Sequence, residues 1–393
     1  MIIVDFNNFW SPSGGGVRRY HLEKMNFYTH REGAVHVFVM PDSRTYTEEK
    51  SGSLIVEHVE AFRFPGDWEY RFIWKRDQVA KILAKYSPEI VEVGSPYWLP
   101  HLVANLAKQF CPKAKLLAFW HADFPVTYVR RPFESVFGKT VAKCAEELAF
   151  RYARFEYKRF DGIEVSCEEI RKRLVQHGLP AYFRVPLGCN TSAFSPEKLD
   201  PEIRANLQAG DENRLVIFFP HRFCKEKGLD IVLKAYPMLC KRLKAEPAIV
   251  FAGTGPLLDE VKAAVEKYEH LHYIGFVSSE EQMARYYASS DLGLALSSWE
   301  TFGISIIESM ASGNPQIAAP NGAASEHVRE SGAGLIMHDR SPEELVAKIC
   351  DLANQGVKTY AGKARAYAEK FSWDACFEKQ FSLYRELLIN KKP

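Results

Sequence analysis

The 393-residue sequence lacks several features that would assign it to a simple class. No apolar run approaches the roughly 18 residues of a membrane span. The first residues of the chain are already apolar, so the basic region that begins a signal peptide is missing. The eight cysteines form no Cys-x-x-Cys pair, which disfavours a disulfide framework or a zinc site. No Gly-x-Gly-x-x-Gly occurs either, so a dinucleotide-dependent oxidoreductase is poorly supported. We expect a cytoplasmic protein with reduced thiols.

A strong net charge is also absent. The chain has 51 Lys and Arg against 49 Asp and Glu, a formal net charge of +2, which is too little to coat nucleic acid. Residues 1–195 carry 27 basic and 22 acidic side chains (+5), which leaves 24 and 27 (−3) for the remainder. We therefore expect the first half to meet any anionic surface.

The chain is two to three times the usual domain size, and its apolar pattern repeats in each half. Continuous apolar runs, typical of strands buried in a parallel sheet, alternate with helical patterns that have charged faces. The predicted strands are 1–6, 35–41, 89–94, 115–120, 162–166, 183–187, 214–220, 248–252, 271–277, 291–296, 315–319 and 334–337. The predicted helices include 75–86, 101–110, 168–177, 228–243, 256–268, 279–289 and 342–354.

This alternation predicts two Rossmann-like, doubly wound α/β domains that face a cleft. Their boundary is placed in the polar, Pro-bearing stretch 188–212, which has no strong periodicity. We expect an N-terminal domain over 1–195, a second domain over 196–371, and a terminal helix over 372–393 that crosses back to the first domain. Ligands of such folds bind at the carboxyl ends of the strands, and most of the motifs follow strands.

The first motif, Gly14-Gly15-Gly16, follows strand 1 and precedes a helical run that starts near Val17. Glycines let the backbone approach a phosphate, and a helix start offers free N–H groups. A flexible turn explains the motif equally well.

The second motif is a loop with Arg222 and Lys227, between strand 214–220 and a helix. Two fixed cations at this position would stabilise a departing anion, such as a diphosphate. For Lys225 and Glu226, in the same loop, a solvated charged surface is the better interpretation.

The third motif has two carboxylates, Glu300 and Glu308, on either side of a glycine turn that opens a helix. Such a pair is commonly a solvated face, but Glu308 is also placed to accept hydrogen bonds from a ribose diol, and Glu300 from sugar hydroxyls. The amides of Phe302, Gly303, Ile304 and Ser305 at the helix start are suited to capping a phosphate.

Glu300-x7-Glu308, followed by Ser309-Met310-Ala311-Ser312-Gly313-Asn314-Pro315, resembles the signature of family 4 retaining glycosyltransferases of the GT-B fold. The resemblance extends in order over essentially the whole chain. It includes the opening glycine loop, Val185-Pro186-Leu187-Gly188, Arg222…Lys227-Gly228, Gly253-x-Gly255-Pro256 and Gly275-Phe276-Val277. The chain departs from the family at Asn190, where Asp is usual, and at Asn314, where Leu, Val or Ile is usual.

The resemblance implies roles for these residues. Arg222 and Lys227 would hold the donor diphosphate, Glu308 the ribose, and Glu300 the hydroxyls of the transferred sugar. The remaining donor-binding positions would be main-chain groups at Gly14, Gly15, Gly16, Gly253, Gly255, Gly275 and Phe276. No cofactor or metal is expected, because no Asp-x-Asp of the metal-dependent GT-A type occurs.

The resemblance also brings in His121, at the end of strand 115–120. Without the family, a satisfied and partly buried imidazole would be the preferred interpretation; in the family this histidine lies beside the reacting sugar. The run His121-Ala122-Asp123-Phe124-Pro125-Val126-Thr127-Tyr128 is similar to members that glycosylate lipids, including GDP-mannose-dependent mannosyltransferases and sulfoquinovosyl-type synthases. Asp123 and Tyr128 are therefore candidates on the acceptor side.

Segment 130–160 carries eight basic side chains against four glutamates, with aromatic residues between them. A basic, aromatic amphipathic helix is able to lie on an anionic bilayer, although aromatic residues at helical spacing more often belong to a core. We expect a nucleotide-sugar donor, a glycan or lipid-linked acceptor, peripheral contact with the inner membrane face and no nucleic acid.

The expected reaction moves a hexose from a nucleotide-diphosphate sugar, GDP-mannose before a UDP-hexose, to a hydroxyl group with retention. An epimerase would need base groups at the sugar that are not found in register, and a phosphorylase would need a pyridoxal lysine. A non-catalytic carbohydrate- or membrane-binding scaffold is the remaining alternative. The joint presence of Arg222, Lys227, Glu300, Glu308 and His121 argues against it.

Overall fold

The computed structural model describes residues 1–8, 10, 15–64 and 67–389. The chain divides into two compact units, Met1–Leu187 with Trp373–Pro393, and Gly188–Ser372. The division after Leu187 lies at the start of the predicted boundary region and before residue 195, where the sequence placed the end of the first domain.

The first unit contains an eight-stranded sheet, with helices between most of its successive strands. The sheet order is β10-β9-β8-β7-β1-β2-β4-β3, and every neighbouring pair except β3–β4 is parallel. Its strands are β1 (Ile2–Phe6), β2 (Val35–Asp42), β3 (Tyr46–Ser51), β4 (Leu54–Glu60), β7 (Ile90–Val93), β8 (Lys115–Phe119), β9 (Gly162–Val165) and β10 (Phe183–Arg184), and a separate antiparallel pair is formed by β5 (Phe62–Phe64) and β6 (Asp67–Phe72). The helices are α1 (Gly16–Thr29), α2 (Arg76–Tyr86), α3 (Leu99–Phe110), α4 (Arg131–Tyr157) and α5 (Glu168–Gln176).

The second unit contains a six-stranded, all-parallel sheet with the order β13-β12-β11-β14-β15-β16. Its strands are β11 (Val216–Pro220), β12 (Ala248–Ala252), β13 (Leu271–Tyr273), β14 (Leu292–Ala295), β15 (Gln316–Ala318) and β16 (Gly334–Ile336). Its helices are α6 (Pro201–Gln208), α7 (Leu229–Arg242), α8 (Leu258–Lys267), α9 (Glu280–Ala288), α10 (Ile304–Ala311), α11 (Ala323–Ser331), α12 (Pro342–Gln355) and α13 (Ala361–Ala368).

Each of the twelve strands predicted from continuous apolar runs is present, which confirms the doubly wound α/β class. The prediction missed β3, β4 and the β5–β6 pair. The residues of β3 are Tyr-Thr-Glu-Glu-Lys-Ser, which are polar because this strand forms the exposed edge of the sheet. A strand with one solvated side does not produce a continuous apolar run.

The stretch 188–212, which has no strong periodicity in the sequence, contains a helix in its second part. Helix α6 begins directly after Asp200, whose carboxylate accepts hydrogen bonds from the amides of Glu202 (2.9 Å) and Ile203 (3.1 Å). Pro201 occupies the first helical position, where its missing N–H costs nothing. The helix has only eight residues and a single buried one, Leu207, too few to produce a visible period.

The last helix, α14 (Trp373–Ile389), belongs to the first unit. The sequence predicted that the C-terminal helix crosses back to this unit. Its buried face reaches three elements of that unit. Gln380 donates to the Tyr20 hydroxyl (2.9 Å) and to the Glu164 carboxylate (2.8 Å), and Tyr384 donates to Glu92. The helix therefore completes the interior of the unit rather than covering its surface.

That interior holds a fully buried lysine. Lys24 on α1 lies 2.8 Å from the carboxylate of Asp5 on β1 and 2.9 Å from that of Glu92 on β7, and all three side chains are inaccessible to solvent. Burial opposes each charge, but the two carboxylates outweigh it at Lys24, whose pKa is raised. Burial is the stronger influence at Glu92, whose pKa is also raised. Nothing in the sequence analysis singled out this cluster.

Candidate active site

The predicted donor residues lie on loops that leave one edge of the six-stranded sheet. Strands β12, β11 and β14 are neighbours and parallel, so the loops that follow them emerge side by side. The loop after β11 carries Arg222 and Lys227, and the loop after β14 carries Glu300. The fold thus brings together residues that are more than 70 positions apart in the chain.

Lys227 and Glu300 form an ion pair at this edge. The Lys227 ammonium donates to the Glu300 carboxylate at 2.6 Å, and each side chain is 24% exposed. Burial opposes both charges, but the partner outweighs it, so the pKa of Lys227 is raised and that of Glu300 is lowered. Burial, together with the Lys227 charge, lowers the pKa of the neighbouring His221 to about 4. The edge therefore presents a fixed cation beside a neutral imidazole at neutral pH.

Close packing accounts for several glycines in the predicted donor loops, independently of any ligand. Gly255 has φ 155°, and a Cβ there would lie 2.5 Å from the Phe223 carbonyl oxygen. Gly228 has φ 79°, and its Cβ would lie 2.6 Å from the Cβ of Leu296 at the end of β14. Gly253 also contacts the His221 backbone, and its amide donates to Gly275 (2.8 Å). A side chain at any of these positions would clash with a neighbouring loop, so packing alone favours glycine there.

The glycine turn before Glu308 opens a helix as predicted. Gly303 has φ 83° and caps α10, whose first amides, Ile304 and Ser305, lack acceptors within the helix. Glu308 is half-buried on the same helix. The Phe302 side chain, by contrast, is only 1% exposed and belongs to the core, so only its main chain remains available for a donor contact.

Two other predicted donor residues are open to solvent. Arg222 is exposed and forms no ion pair with any described residue. Phe276 is 73% exposed beside Gly275, which has φ 78° and open space where a Cβ would be. An exposed aromatic ring suits contact with a planar ligand group.

In the first unit, His121 lies just beyond β8, next to residues that follow β1 and β7. A Cβ at Gly94 would lie 2.6 Å from the Asn7 amide nitrogen and 3.1 Å from His121 Nε2. The His121 ring contacts Tyr20, with centroids 4.9 Å apart, and stacks on Phe119 at 4.5 Å. Burial lowers the pKa of His121 to about 3, so the ring is neutral at physiological pH.

The opening glycine loop is only partly described. Gly14 lies outside the described residues. Gly15 and Gly16 are exposed at the start of α1, and a Cβ on Gly15 would meet nothing within 4 Å. The packing of the described residues therefore does not demand a glycine at position 15.

The two acceptor-side candidates differ sharply. The Asp123 side chain is 1% exposed and forms an ion pair with Arg173 on α5. Tyr128 is 54% exposed, on a π-helical turn over Pro125–Arg130. Asp123 therefore already serves the packing of its own unit, whereas Tyr128 is accessible to a ligand.

The basic, aromatic segment 130–160 is divided between core and surface. Helix α4 buries Phe150 and Tyr157, and Gly138 (φ 80°) interrupts its helical backbone. Exposed apolar side chains concentrate in its first half and include Phe133, Val136, Phe137 and Val141. Across the described residues, no helix is both long and apolar enough to cross a bilayer.

Two residues that the sequence analysis did not consider fix the Glu300 loop. His327 on α11 hydrogen-bonds the Phe302 carbonyl (2.8 Å) and the Tyr367 hydroxyl (3.0 Å). Arg340, beyond β16, donates to the Leu296 carbonyl (2.8 Å). Both act on main-chain atoms, which leave no pattern in the sequence.

The two family departures have local explanations. The side-chain amide of Asn190 donates a hydrogen bond to the Glu280 carboxylate at 2.8 Å. The aspartate that is usual at this position would lose that bond and repel the Glu280 carboxylate. The Asn314 amide donates to the Tyr287 carbonyl at 2.7 Å, inside the unit. Neither asparagine belongs to the loops that carry the donor residues.

Comparison with known proteins places both units in described families. Residues 14–193 match the model for "Glycosyltransferase Family 4", and residues 201–371 match that for "Glycosyl transferases group 1". A GDP-mannose-dependent alpha-(1-6)-phosphatidylinositol dimannoside mannosyltransferase of Mycobacterium tuberculosis is 23% identical over 95% of this chain and 93% of its own. The sulfoquinovosyl transferase SQD2 of Arabidopsis thaliana is 25% identical over 76% of this chain and 56% of its own.

Solved structures share the fold over nearly the whole length. Sucrose-phosphate synthase from Thermosynechococcus elongatus superposes with a TM-score of 0.72 at 18% identity, covering 99% of both chains. Anabaena HepE in complex with UDP gives 0.72 at 17% identity, covering 98% of this chain and 100% of the other. The sequence signature, the two matched families and the shared fold lead to one conclusion: the chain belongs to the family 4 glycosyltransferases and is an enzyme of the two-domain GT-B type.

Proposed function

We propose that this glycosyltransferase moves a hexose from a nucleotide-diphosphate sugar to a hydroxyl of a glycan or glycolipid, with retention and without a metal ion. GDP-mannose is the first choice of donor and a UDP-hexose the second. The observation that carries the proposal is the Lys227–Glu300 pair at the carboxyl edge of the second sheet, with Arg222 exposed on the same loop. The long match to a GDP-mannose-dependent enzyme supports the choice of donor.

Lys227 and Arg222 would bind the donor diphosphate, and the first amides of α10 would add donors to it. The leaving group gains negative charge as the sugar departs, so fixed cations that need no rearrangement lower the barrier. Glu308 would accept hydrogen bonds from the ribose, Glu300 from the hexose hydroxyls, and the exposed Phe276 region would face the base.

The proposed step is a same-face substitution. The bond between the anomeric carbon and the diphosphate oxygen breaks, and its electron pair leaves with the nucleoside diphosphate. The acceptor oxygen bonds to the same face of that carbon, and its proton passes to a donor phosphate oxygen. His121 would contact the hexose as a neutral imidazole, in line with its low pKa. Exclusion of water limits hydrolysis of the donor.

A lipid-linked acceptor is favoured by the surface of α4. Phe133 and Phe137 are 40% and 61% exposed, with Arg131, Lys139 and Lys143 near them in sequence. Apolar side chains flanked by basic ones bind the boundary region of anionic bilayers. We therefore propose peripheral membrane contact through the first half of α4.

The donor base is tested by a thermal-shift screen with UDP, GDP, ADP and dTDP. A nucleotide at 100 times its Kd stabilises the folded state by about 2.7 kcal/mol. We expect GDP to give the largest shift, and a larger shift with UDP would reassign the base. Glu308→Ala should weaken this binding about tenfold, on the scale of one charge-assisted hydrogen bond.

The reaction is tested with GDP-mannose and UDP-glucose as parallel donors. We expect slow release of the nucleoside diphosphate without acceptor and faster release with a mannosylated lipid acceptor. NMR of the product should show the donor's anomeric configuration, and EDTA should leave the rate unchanged. An inverted product or EDTA-sensitive turnover would contradict those parts of the proposal.

Membrane contact is tested by co-sedimentation with vesicles of phosphatidylglycerol or phosphatidylcholine. We expect binding to the anionic vesicles only, and its loss in the variant Phe133→Ser/Phe137→Ser. The control is Val175→Ser, which removes an exposed apolar side chain from α5 in the same unit. Equal binding of both variants, or none by the wild type, would overturn this part.

A further inference from the structure

Arg340 joins the two loops that carry the proposed donor residues. Its guanidinium donates to the carbonyls of Lys225 and Glu226, both at 3.1 Å, on the loop after β11. The same group donates at 2.8 Å to the Leu296 carbonyl, where the loop after β14 begins, and lies 5.0 Å from the centre of the Trp299 ring. One side chain thus binds directly beside Lys227 on one loop and beside Glu300 on the other.

The bonded geometry requires a guanidinium. Three main-chain carbonyls, from two separate segments, receive hydrogen bonds from two nitrogens of one planar group: Nε donates to Leu296, and one terminal nitrogen donates to both Lys225 and Glu226. A lysine ammonium carries the same charge on a single nitrogen and has no planar fork. The arrangement therefore depends on the shape of Arg340 as well as on its charge.

The loop that carries Arg340 is itself held in place. The Asp339 carboxylate accepts from the Ser341 amide at 2.8 Å, and the Ser341 hydroxyl caps α12 by accepting from Glu344. The His338 amide donates to the Glu344 carboxylate at 2.9 Å. A fixed base of this kind lets Arg340 impose a position on its partners instead of following them.

We infer that Arg340 is a positioning residue, which sets the Lys227–Glu300 pair in register for the donor diphosphate. This inference rests on the proposed function, because it assigns Lys227 and Glu300 to donor binding. Arg340 itself acts through the main chain of the two loops and needs no contact with the substrate. A misplacement of about 1 Å at a reacting group is enough to lower a rate by about 100-fold.

The test compares Arg340→Ala with Arg329→Ala, which removes an exposed arginine from α11 of the same unit. Turnover of GDP-mannose and of UDP-glucose is measured well below the melting temperature of each variant. We expect kcat/KM to fall about 10- to 100-fold for Arg340→Ala, and to stay within about twofold of wild type for the control. Equal behaviour of the two variants would overturn the inference.

Conservative replacement and chemical rescue separate positioning from a general loss of stability. Arg340→Lys should recover little activity, whereas millimolar guanidinium should restore part of the Arg340→Ala rate. Full recovery in Arg340→Lys, or no rescue by guanidinium, would contradict a role that depends on the planar group. If Arg340→Ala does not fold, Arg340→Gln replaces it in the same comparison.

The variant Lys227→Ala and the double variant complete a cycle. If Arg340 acts through the pair, its replacement in the Lys227→Ala background should cost much less than it does in wild type. Full additivity would refute the inference alone. Wild-type turnover by Lys227→Ala would instead refute the proposed role of Lys227, so the two failures are distinguishable.

Discussion

Both units contain a lysine paired with carboxylates, and the two pairs differ in one decisive respect. Lys24 is completely buried between Asp5 and Glu92, whereas Lys227 and Glu300 are each about a quarter exposed. A buried charge must be satisfied within the protein, and removing its partner leaves an uncompensated charge. The Lys227–Glu300 pair is partly accessible at the edge of the second sheet, so either side chain is able to exchange its partner for a ligand. Similar chemistry thus serves structure in one unit and, by our proposal, substrate binding in the other.

The largest effect is expected from Lys24→Met. This substitution leaves Asp5 and Glu92 buried without their cation, and should lower the free energy of unfolding by about 3–5 kcal/mol. Urea denaturation followed by circular dichroism measures the loss. Unfolding of Lys24→Met at the wild-type urea concentration would show that the buried lysine contributes no more to stability than the partly exposed pair does.

Lys227→Ala should have the opposite profile. Loss of one donor to the departing diphosphate should lower kcat by about 100- to 1000-fold, while the free energy of unfolding changes by less than about 1 kcal/mol, as for a partly exposed pair. The assay is nucleoside diphosphate release at a saturating donor concentration. A large loss of stability with unchanged kcat would show that this pair, like that of Lys24, is structural.

The buried His121 makes the stability of the first unit depend on pH. The pKa of His121 is lowered from 6.5 to about 3 by burial, so below pH 6.5 the unfolded chain binds a proton that the folded chain does not. Stability should therefore fall as pH is lowered from about 6.5, by at most about 1.4 kcal/mol per pH unit for this group. Urea midpoints at pH 7, 6 and 5 should fall less steeply for His121→Phe than for wild type. Parallel pH profiles for the two proteins would contradict the low pKa.

The smallest change in stability is expected from Asn190→Asp, which brings two carboxylates together without a cation. Asn190→Asp would place a second carboxylate against Glu280, at a position where the amide now donates at 2.8 Å. We expect a loss of about 1 kcal/mol in the free energy of unfolding, which Glu280→Gln should restore in the double variant. If the aspartate is tolerated at no cost, local charge does not explain this departure from the family.

Much of the fold was predictable because parallel strands that are buried on both faces appear in the sequence as continuous apolar runs. The runs predicted every strand of the second sheet, and the motifs that follow β11 and β14 proved to share one edge. The edge strand β3 and the short helix α6 were missed, since neither needs an apolar period. The hydrogen bonds by which Arg340 and His327 hold the Glu300 loop were out of reach for another reason: they end on backbone carbonyls, which every residue has.

The return of α14 to the first unit has a consequence for biosynthesis. The second unit is an uninterrupted segment, Gly188–Ser372, whereas the first needs residues from both sides of it. A ribosome therefore completes the second unit before it has made Gln380 and Tyr384, which hydrogen-bond to Glu164 and Glu92 in the first. During translation Glu164 lacks its Gln380 partner and Glu92 has only Lys24, so the interior of the first unit is completed only after the whole second unit has been synthesised.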